Sequence, residues 1–498
     1  MRGRVATRAF FESGGFMFVN VKHYACEIIT LVLMFAGFFI HAAPLPDYGW
    51  QVLFIFIGLM FGWSTVGLGI PSLVGILALG LTGSFTVDTA WQAGFGGNVI
   101  ALVVLISVVS KWLERVGLID TMMEKFMSSK RFVGKPWAFI TAFFALIYFL
   151  GFLIGSIPSI LIGWACAYQI IRISEMEKHS PLSAFLIVNI AAIGAFGDYC
   201  KPWSVWGLVT IQNYDAMFTP GGLSYPAFIA WCTAVYVVAI ALVLLVGRFV
   251  FRIDVSKLAK CTDCDFSMHN GKTTFTSEQK FALGVMATMI VLLFLPSFIP
   301  DCALKTFLNT IGTTGTIILV VVIAGLVRKK DGEDYFNFAK LADYAGAIPW
   351  NVILLLTVTV PLGAALKAKE AGIIQVIAAF AHTSLNGLPP TLFLVAVAVF
   401  LFLLTQVAHN LVCLVAIVPI FMVIAQNLGA SAVLVLMLGQ LLLTAALGTP
   451  AASTRAAMLY GNSEWVAVGS CYKWGWINGI AALIAALVVG IPLGSVLF

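Results

Sequence analysis

The sequence predicts an all-α polytopic membrane protein of about eleven transmembrane helices plus two re-entrant hairpins, laid out as inverted repeats. Three observations predict it. The 498 residues are 61% hydrophobic and only 10% charged, with mean hydropathy +1.02, which leaves too few charges to coat soluble domains. Apolar segments succeed one another along the whole chain, most of them near the ~20 residues that cross a bilayer. An interrupted helical pattern also recurs at matching places in the two halves. The formal charge of +6 sits in short loops between apolar runs, where it sets topology; it is not a nucleic-acid signal.

In chain order, the leader carries Arg2, Arg4, Arg8 and Lys22. It is long for a signal peptide, and Ala42-Ala43-Pro44 is a poor cleavage site, so Ile28–Ala43 reads as a retained first helix. Apolar segments then fall at 51–68, 71–86, 97–116, 137–173, 183–211, 225–250, 281–298, 311–327, 350–368, 390–427, 432–460 and 474–496. Two are nearly double length and carry polar punctuation at mid-run: Gly155-Ser156-Ile157-Pro158-Ser159 and Thr405-Gln406-Val407-Ala408-His409-Asn410. Each is either two spans joined by a tight loop or a re-entrant hairpin. Lys125, Lys130, Arg131 and Lys135 precede the first and Arg172 and Lys178 come after it, so both its ends are cytoplasmic; the second has no flanking Lys or Arg, so both its ends are outside. The polar tips favour re-entry, because a turn in water needs no buried amide or imidazole. Eleven remaining spans place the protein in the cell (inner or plasma) membrane, with the N-terminus cytoplasmic and the C-terminus outside.

The stretch Gln440–Tyr460 is the organising element. Its apolar pattern is interrupted by Gly448-Thr449-Pro450, and Arg455 lies within about two turns beyond. Proline breaks a helix, and hydrocarbon tolerates a break only where protein or a water-filled cavity serves the freed backbone. The first half has its counterpart in Gly194-Ala-Phe-Gly-Asp-Tyr-Cys-Lys-Pro202. Asn98-Val99-Ile100 and Asn351-Val352-Ile353 open matching spans, each leading to Gly117-Leu-Ile or Gly372-Ile-Ile, a hairpin run and a Pro-broken span. The copies start on opposite sides, so the repeats are inverted. Paired interrupted segments of this kind point to a transporter's binding site.

Ile348-Pro349-Trp350-Asn351-Val-Ile-Leu-Leu-Leu356 with Gly363 resembles the opening of the second repeat in the divalent-anion:sodium symporters. These are dicarboxylate, citrate and sulfate carriers of the ion transporter superfamily. Thr405–Asn410 resembles that family's outer hairpin tip and Gly448-Thr449-Pro450 its second broken-helix loop. Gly461, Asn462, Lys473, Gly475, Asn478 and Gly479 resemble the family's residues C-terminal to that loop. The resemblance covers Asn98 to the C-terminus. It implies a scaffold that forms a homodimer and a transport domain that moves as an elevator. On that reading the chain divides into a cytoplasmic leader (1–23), scaffold helices with the first span of repeat 1 (24–116), and transport half 1 (117–224). Further scaffold helices and cytoplasmic loops (225–349), transport half 2 (350–460) and the last span (461–498) complete it. The tips lack the family's Ser-Asn-Thr signatures: the outer retains only Asn410 and the inner has no Asn. Sodium needs hard oxygen ligands, so at least one sodium site of the family is in doubt.

Asp198, Lys201 and Arg455 are charges embedded in apolar segments, and their excess of cation predicts an anionic solute. The substrate-binding candidates are Ser156, Ser159, Lys201, Pro202, Thr405, Gln406, His409, Asn410, Thr449, Pro450, Ser453 and Arg455. The ion or proton candidates are Gly155, Gly197, Asp198, His409, Asn410 and Gly448. Arg grips a carboxylate or sulfonate bidentately, and half-helix N-termini after Pro202 and Pro450 add N–H donors. The alternative for Asp198 is an internal lock with Lys201 or Arg455; for the tip amides and hydroxyls it is capping of helix ends. His409 serves as proton carrier or as a neutral hydrogen-bonding residue.

Cys261 and Cys264 with His269 form an incomplete zinc set in a polar loop, so no metal site is expected, and the nine cysteines suggest no disulfide framework. No P-loop, GxSxG or HExxH motif occurs, so neither ATP-driven pumping nor an enzyme is indicated. The expected function is secondary active transport of a small organic anion, a di- or tricarboxylate or a related sulfonate, across the lipid bilayer. Coupling is to H+, to residual Na+ or to anion exchange, with no other cofactor. A cation/proton antiporter using an unpaired Asp198, and a non-transporting anion receptor, are the alternatives.

Overall fold

The computed structural model describes residues 13–498 apart from 128, 133, 216, 219–221, 261–273, 330–331, 338–345, 347, 385–386, 409 and 451. His409 and the Cys261, Cys264 and His269 set lie outside the described residues. Among the described residues every regular element is helical. Ten helices are long and apolar enough to cross a bilayer, or eleven if Val87–Phe95 and Ile100–Arg115 make one bent span.

The opening helices are α1 (Ser13–Ala36), α2 (Asp47–Thr65), α3 (Gly69–Leu81) and α4 (Val87–Phe95). The first repeat comprises α5 (Asn98–Arg115), α6 (Leu118–Met127), a hairpin of α7 (Pro136–Ile154) and α8 (Ser156–Ile173), a broken pair α9 (Pro181–Tyr199) and α10 (Val205–Asp215), and α11 (Tyr225–Leu245). A short α12 (Ser256–Lys260) and the spans α13 (Ser277–Phe298) and α14 (Ala303–Leu326) intervene. The second repeat has α15 (Trp350–Lys367), α16 (Ile373–Ser384), a hairpin of α17 (Pro390–Leu404) against α18 (Asn410–Ala416) and α19 (Val418–Asn427), the broken pair α20 (Ala432–Leu442) and α21 (Thr454–Gly461), and α22 (Val468–Ala485), ending in α23 (Ile491–Leu497).

The two series match in local chemistry as well as in order. A left-handed glycine precedes both amphipathic helices, Gly117 (φ +66) before α6 and Gly372 (φ +69) before α16. Ser180 and Ser431 cap the starts of α9 and α20 through Ser183 N and Leu434 N, as serine does at an N-cap. Ser204 and Ser453 accept Gly207 N and Ala456 N where helix resumes after each break. Both α11 and α22 close in a five-residue π turn, Val246–Val250 and Ala486–Gly490. The repeat read from residue order is therefore a structural repeat.

By packing, the chain forms two compact units, Met1–Ile100 with Trp350–Asn386, and Ala101–Pro349 with Gly387–Phe498. The segment 350–386, which sequence order assigns to transport half 2, packs with the first hundred residues. In that unit small residues let helices approach backbone to backbone: Gly94 of α4 lies against the Thr357 carbonyl of α15, and Gly75 of α3 between Leu59 and Val358. Such contacts drive association where lipid competes equally for apolar side chains.

The second unit is built around α9. This helix is apolar on every side and buried over almost its whole length, as expected of a helix inside a bundle. Both hairpin arms α7 and α8, together with α22, pack on it. Gly151 and Gly197 allow the closest approach, facing the Gly194 and Tyr148 carbonyls. The hairpin reverses at Gly155 (φ +97), a conformation glycine adopts without steric cost. Its arms of 19 and 18 residues are each about 28 Å long at ~1.5 Å per residue.

Hydropathy misses α4, α6 and α16, which are short or two-faced. The span expected at 311–327 begins earlier, at Ala303, and kinks at Gly312 (φ +63). The breaks are displaced too: helix runs through Gly194 and Asp198 and opens only at 200–204, whereas the second break takes in 443–450 and 452–453.

Adding a side chain at Gly197 must push α7 and α9 apart. Gly197→Val should lower unfolding stability by about 2 kcal/mol, measured as thermal unfolding in detergent. Gly363→Ala, in α15 with nothing near the added methyl, should be neutral or stabilising by up to ~1 kcal/mol.

Candidate functional site

At the first break, Asp198 ends α9 and Lys201 lies one turn later. Lys201 Nζ stands 3.0 Å from Asp198 Oδ1 and donates to the Gly151 and Phe152 carbonyls at 3.3 and 3.2 Å. Those three partners account for every N–H of the ammonium. The second carboxylate oxygen, Oδ2, accepts the Ser156 N–H at 3.1 Å, the first free donor of α8. The pair therefore straddles the hairpin turn, with a cation at the C-terminal carbonyls of α7 and an anion at the N-terminus of α8, the signs each helix end favours. Of the alternatives the sequence leaves open for Asp198, the structure shows the lock with Lys201. An antiporter would require an unpaired Asp198. Ser159 is buried and donates to the Ser156 carbonyl at 2.8 Å; Pro202 is buried inside the break.

At the second break, the hairpin tip is fastened to the broken-helix loop by side chains. Gln406 Nε2 donates to the Phe402 and Ala445 carbonyls at 3.1 and 3.3 Å, and its Oε1 accepts Gly448 N–H at 2.8 Å. Thr405 Oγ1 donates to the Leu443 carbonyl at 3.0 Å, and Thr449 Oγ1 donates to the Gln406 carbonyl. Ser453 donates to the Ala446 carbonyl at 2.7 Å, and Asn410 Oδ1 accepts Leu411 N–H at 2.9 Å. These groups serve the backbone of the tip and the break. Ser156, Thr449 and Pro450 retain exposed surface around them.

Arg455 differs from the other two charges. It is 3% exposed. Its guanidinium donates from Nη2 to the Thr444 carbonyl at 2.9 Å and from Nη1 to the Ala191 carbonyl at 3.5 Å. It also lies 5.0 Å over the Tyr199 ring. Among the described residues no carboxylate pairs with it. It also occupies the first turn of α21, beside the unsatisfied N–H groups, where a cation is disfavoured and an anion favoured. A buried cation set on a helix N-terminus violates local preference unless a negative charge arrives. The Tyr199 hydroxyl lies within reach of both Arg455 and Ser156.

The breaks meet. Gln440 of α20 donates to the Tyr199 carbonyl at 3.0 Å and accepts from Thr210 of α10 at 2.6 Å; Tyr236 bonds Thr444 at 2.7 Å. A further amide pair, Asn478 to Asn189 at 2.8 Å, joins α22 to α9. Tyr199, Gln440, Asn189 and Asn478 are absent from the sequence-based candidates. For Asn189, Gln440 and Asn478 a signal is present in the residue order, since each is a polar amide within an apolar run, as costly in hydrocarbon as the candidates themselves; Tyr199, beside Asp198, carries no such signal.

The sequence model of a family described as citrate transporter, CitMHS, matches residues 52–448. The chain belongs to the citrate transporter family. The Alcanivorax borkumensis YdaH transporter aligns at TM-score 0.55 and 13% identity, covering 90% of this chain and 99% of that one. Neisseria gonorrhoeae MtrF, described within a class of antimetabolite efflux pumps, aligns at TM-score 0.55 and 14% identity, over 90% and 96%. At these identities the likeness is one of fold. A comparison with curated protein sequences finds no match. The protein is thus a multi-pass membrane protein and a secondary transporter, not an enzyme.

The lock at the first break is testable by a double-mutant cycle. Asp198→Ala and Lys201→Ala should each cost about 3 kcal/mol by stranding a buried charge. The double variant should lose clearly less than the sum, read from thermal unfolding; additive losses would show that the pair is not coupled.

Proposed function

We propose that the protein carries citrate or a closely related di- or tricarboxylate, bound where the two helix breaks meet, with Arg455 as its principal ligand. One observation carries the reading: Asp198 and Lys201 cancel each other, and among the described residues no carboxylate pairs with the buried Arg455. A carboxylate completes that site through charge-assisted bonds, assisted by the N-terminus of α21 and the hydroxyls of Tyr199 and Ser156. The family's description as a citrate transporter agrees in charge and class.

Transport proceeds in this reading by an elevator movement of both tips and both breaks as one rigid body. Two features support it. Each tip is tied to its break, by Asp198 and Lys201 in one repeat and by Thr405, Gln406 and Thr449 in the other. The break after α20 also comes after only 11 residues, ~16 Å of helix, about half the hydrocarbon thickness. A tip fastened there re-enters to mid-depth. The N-terminus is cytoplasmic and the protein works as a homodimer in the plasma or inner membrane. Coupling is to protons and not to sodium, because the amide oxygens of Gln406 and Asn410 already accept backbone N–H groups and the inner tip carries no amide.

Purified protein in proteoliposomes tests this. Citrate uptake should persist when choline replaces sodium and should collapse when the pH gradient is dissipated. Arg455→Ala should lower kcat/KM on the order of 100-fold, and Arg455→Lys should recover only part, since the fork is lost. Uptake at wild-type rate in Arg455→Ala would remove the site.

A further inference from the structure

One end of the second unit carries a basic and aromatic cluster that the transport site does not use. It gathers the start of α7, the start of α9, the end of α11 and the start of α22. Its floor is a continuous aromatic chain. Trp137 packs edge-on to Phe185 (6.1 Å between centroids), Phe185 to Trp474 (4.8 Å) and Trp474 to Phe251 (5.3 Å). Cations lie on this floor. Lys473 Nζ is 3.6 Å from the Phe251 centroid and 5.7 Å from that of Trp474. The Arg248 guanidinium is 6.0 Å from Trp137 and 5.2 Å from Phe249. Arg252 completes the cluster at a left-handed position (φ +45) where glycine is the unstrained choice. The π turn that closes α11 presents Arg248.

Two properties define what this cluster binds. Arg248, Arg252 and Lys473 are all exposed, and among the described residues none pairs with a carboxylate. The nearest acid on their own segment, Asp254, accepts Ser256 N–H; Lys178, at the same end of the unit, is neutralised by Glu464. The ligand is therefore anionic. The cluster also runs directly into bare apolar surface on the same helix end, with Leu245 51%, Phe249 61% and Val250 68% exposed. A soluble anion has no use for that surface; acyl chains do. Cations placed at the ends of spans beside exposed apolar residues are arranged as the headgroup and hydrocarbon zones of a lipid are.

We propose that Arg248, Arg252 and Lys473 form a binding site for the phosphate of an anionic phospholipid, whose acyl chains cover Leu245, Phe249 and Val250. The ring faces beneath Arg248 and Lys473 hold these two cations in place, so much of the site is built before the lipid arrives.

The test uses the full-length protein in nanodiscs of phosphatidylcholine with increasing phosphatidylglycerol, followed by native mass spectrometry and by the thermal unfolding midpoint. The wild type should retain phosphatidylglycerol in preference to phosphatidylcholine and unfold at higher temperature as its fraction rises. Replacing all three cations (Arg248→Gln, Arg252→Gln, Lys473→Gln) should weaken retention on the order of 100-fold, whereas Lys473→Arg alone should preserve it. Lys305→Gln, removing a cation near Asp301, should leave retention unchanged. Equal retention of the two lipids by the wild type overturns the site even if the triple variant does not fold. Undiminished retention in the triple variant, or an equal loss in Lys305→Gln, overturns it as well. A stabilisation by glycerophosphate in pure phosphatidylcholine matching that of the lipid would assign the cations to a soluble anion instead, and also contradicts the proposal.

Discussion

Opening a helix inside hydrocarbon frees backbone N–H and C=O groups that lipid cannot serve, and every such group must find a partner in the protein. The second unit depends on meeting that demand twice. At the first break a single ion pair serves two helix ends: Lys201 covers the terminal carbonyls of α7 and Asp198 takes the leading N–H of α8. At the second, the amide of Gln406 bridges its own helix, the Ala445 carbonyl and Gly448 N–H, while Tyr460 donates to the Leu447 and Gly448 carbonyls. Different chemistry performs the task in each repeat: in the first, side chains of the break serve the backbone of the hairpin tip, and in the second, side chains of the tip serve the backbone of the break. The tips are structural members of the breaks. That is why tip and break behave as one body in the proposed cycle.

Once those demands are met, one charge among the described residues of the two breaks is left over. Asp198 and Lys201 neutralise one another within a set of well-placed hydrogen bonds, the condition under which a buried pair is tolerated. Arg455 is held by two carbonyls and an aromatic face. Carbonyl dipoles position a guanidinium without cancelling its charge. Its place in the first turn of α21 adds a second electropositive source, so local preference and burial both ask for an anion at the same point.

Much of this is legible in residue order. The hairpin runs, the two interrupted spans and the repeat emerge from hydropathy length and from Gly and Pro placement. Lys201 shows where such reading stops. A lysine in an apolar run signals burial and function equally, and only the positions of the Gly151 and Phe152 carbonyls reveal that its donors are occupied. Gln406 and Thr405 are similar, since an amide at a hairpin tip suits a ligand oxygen and a helix end alike. The exact break is hidden because Gly194 and Gly197 look like helix breakers. In the structure they are close-packing sites within α9, facing the side chains of α8 and the backbone of α7. Tyr199 escapes notice because a tyrosine beside an aspartate reads as packing until the guanidinium from the other repeat is seen above its ring.

In the proposed cycle the guanidinium of Arg455, at the meeting of the breaks, is the anchor for the solute. A cryo-EM map of the protein in lipid nanodiscs with saturating citrate tests it most directly. Density for a carboxylate is expected ~3 Å from the Arg455 guanidinium, between the first turn of α21 and the Gly155–Ser156 tip, with the Asp198–Lys201 pair intact. Citrate density elsewhere, with Arg455 still held only by the Thr444 and Ala191 carbonyls, would contradict it.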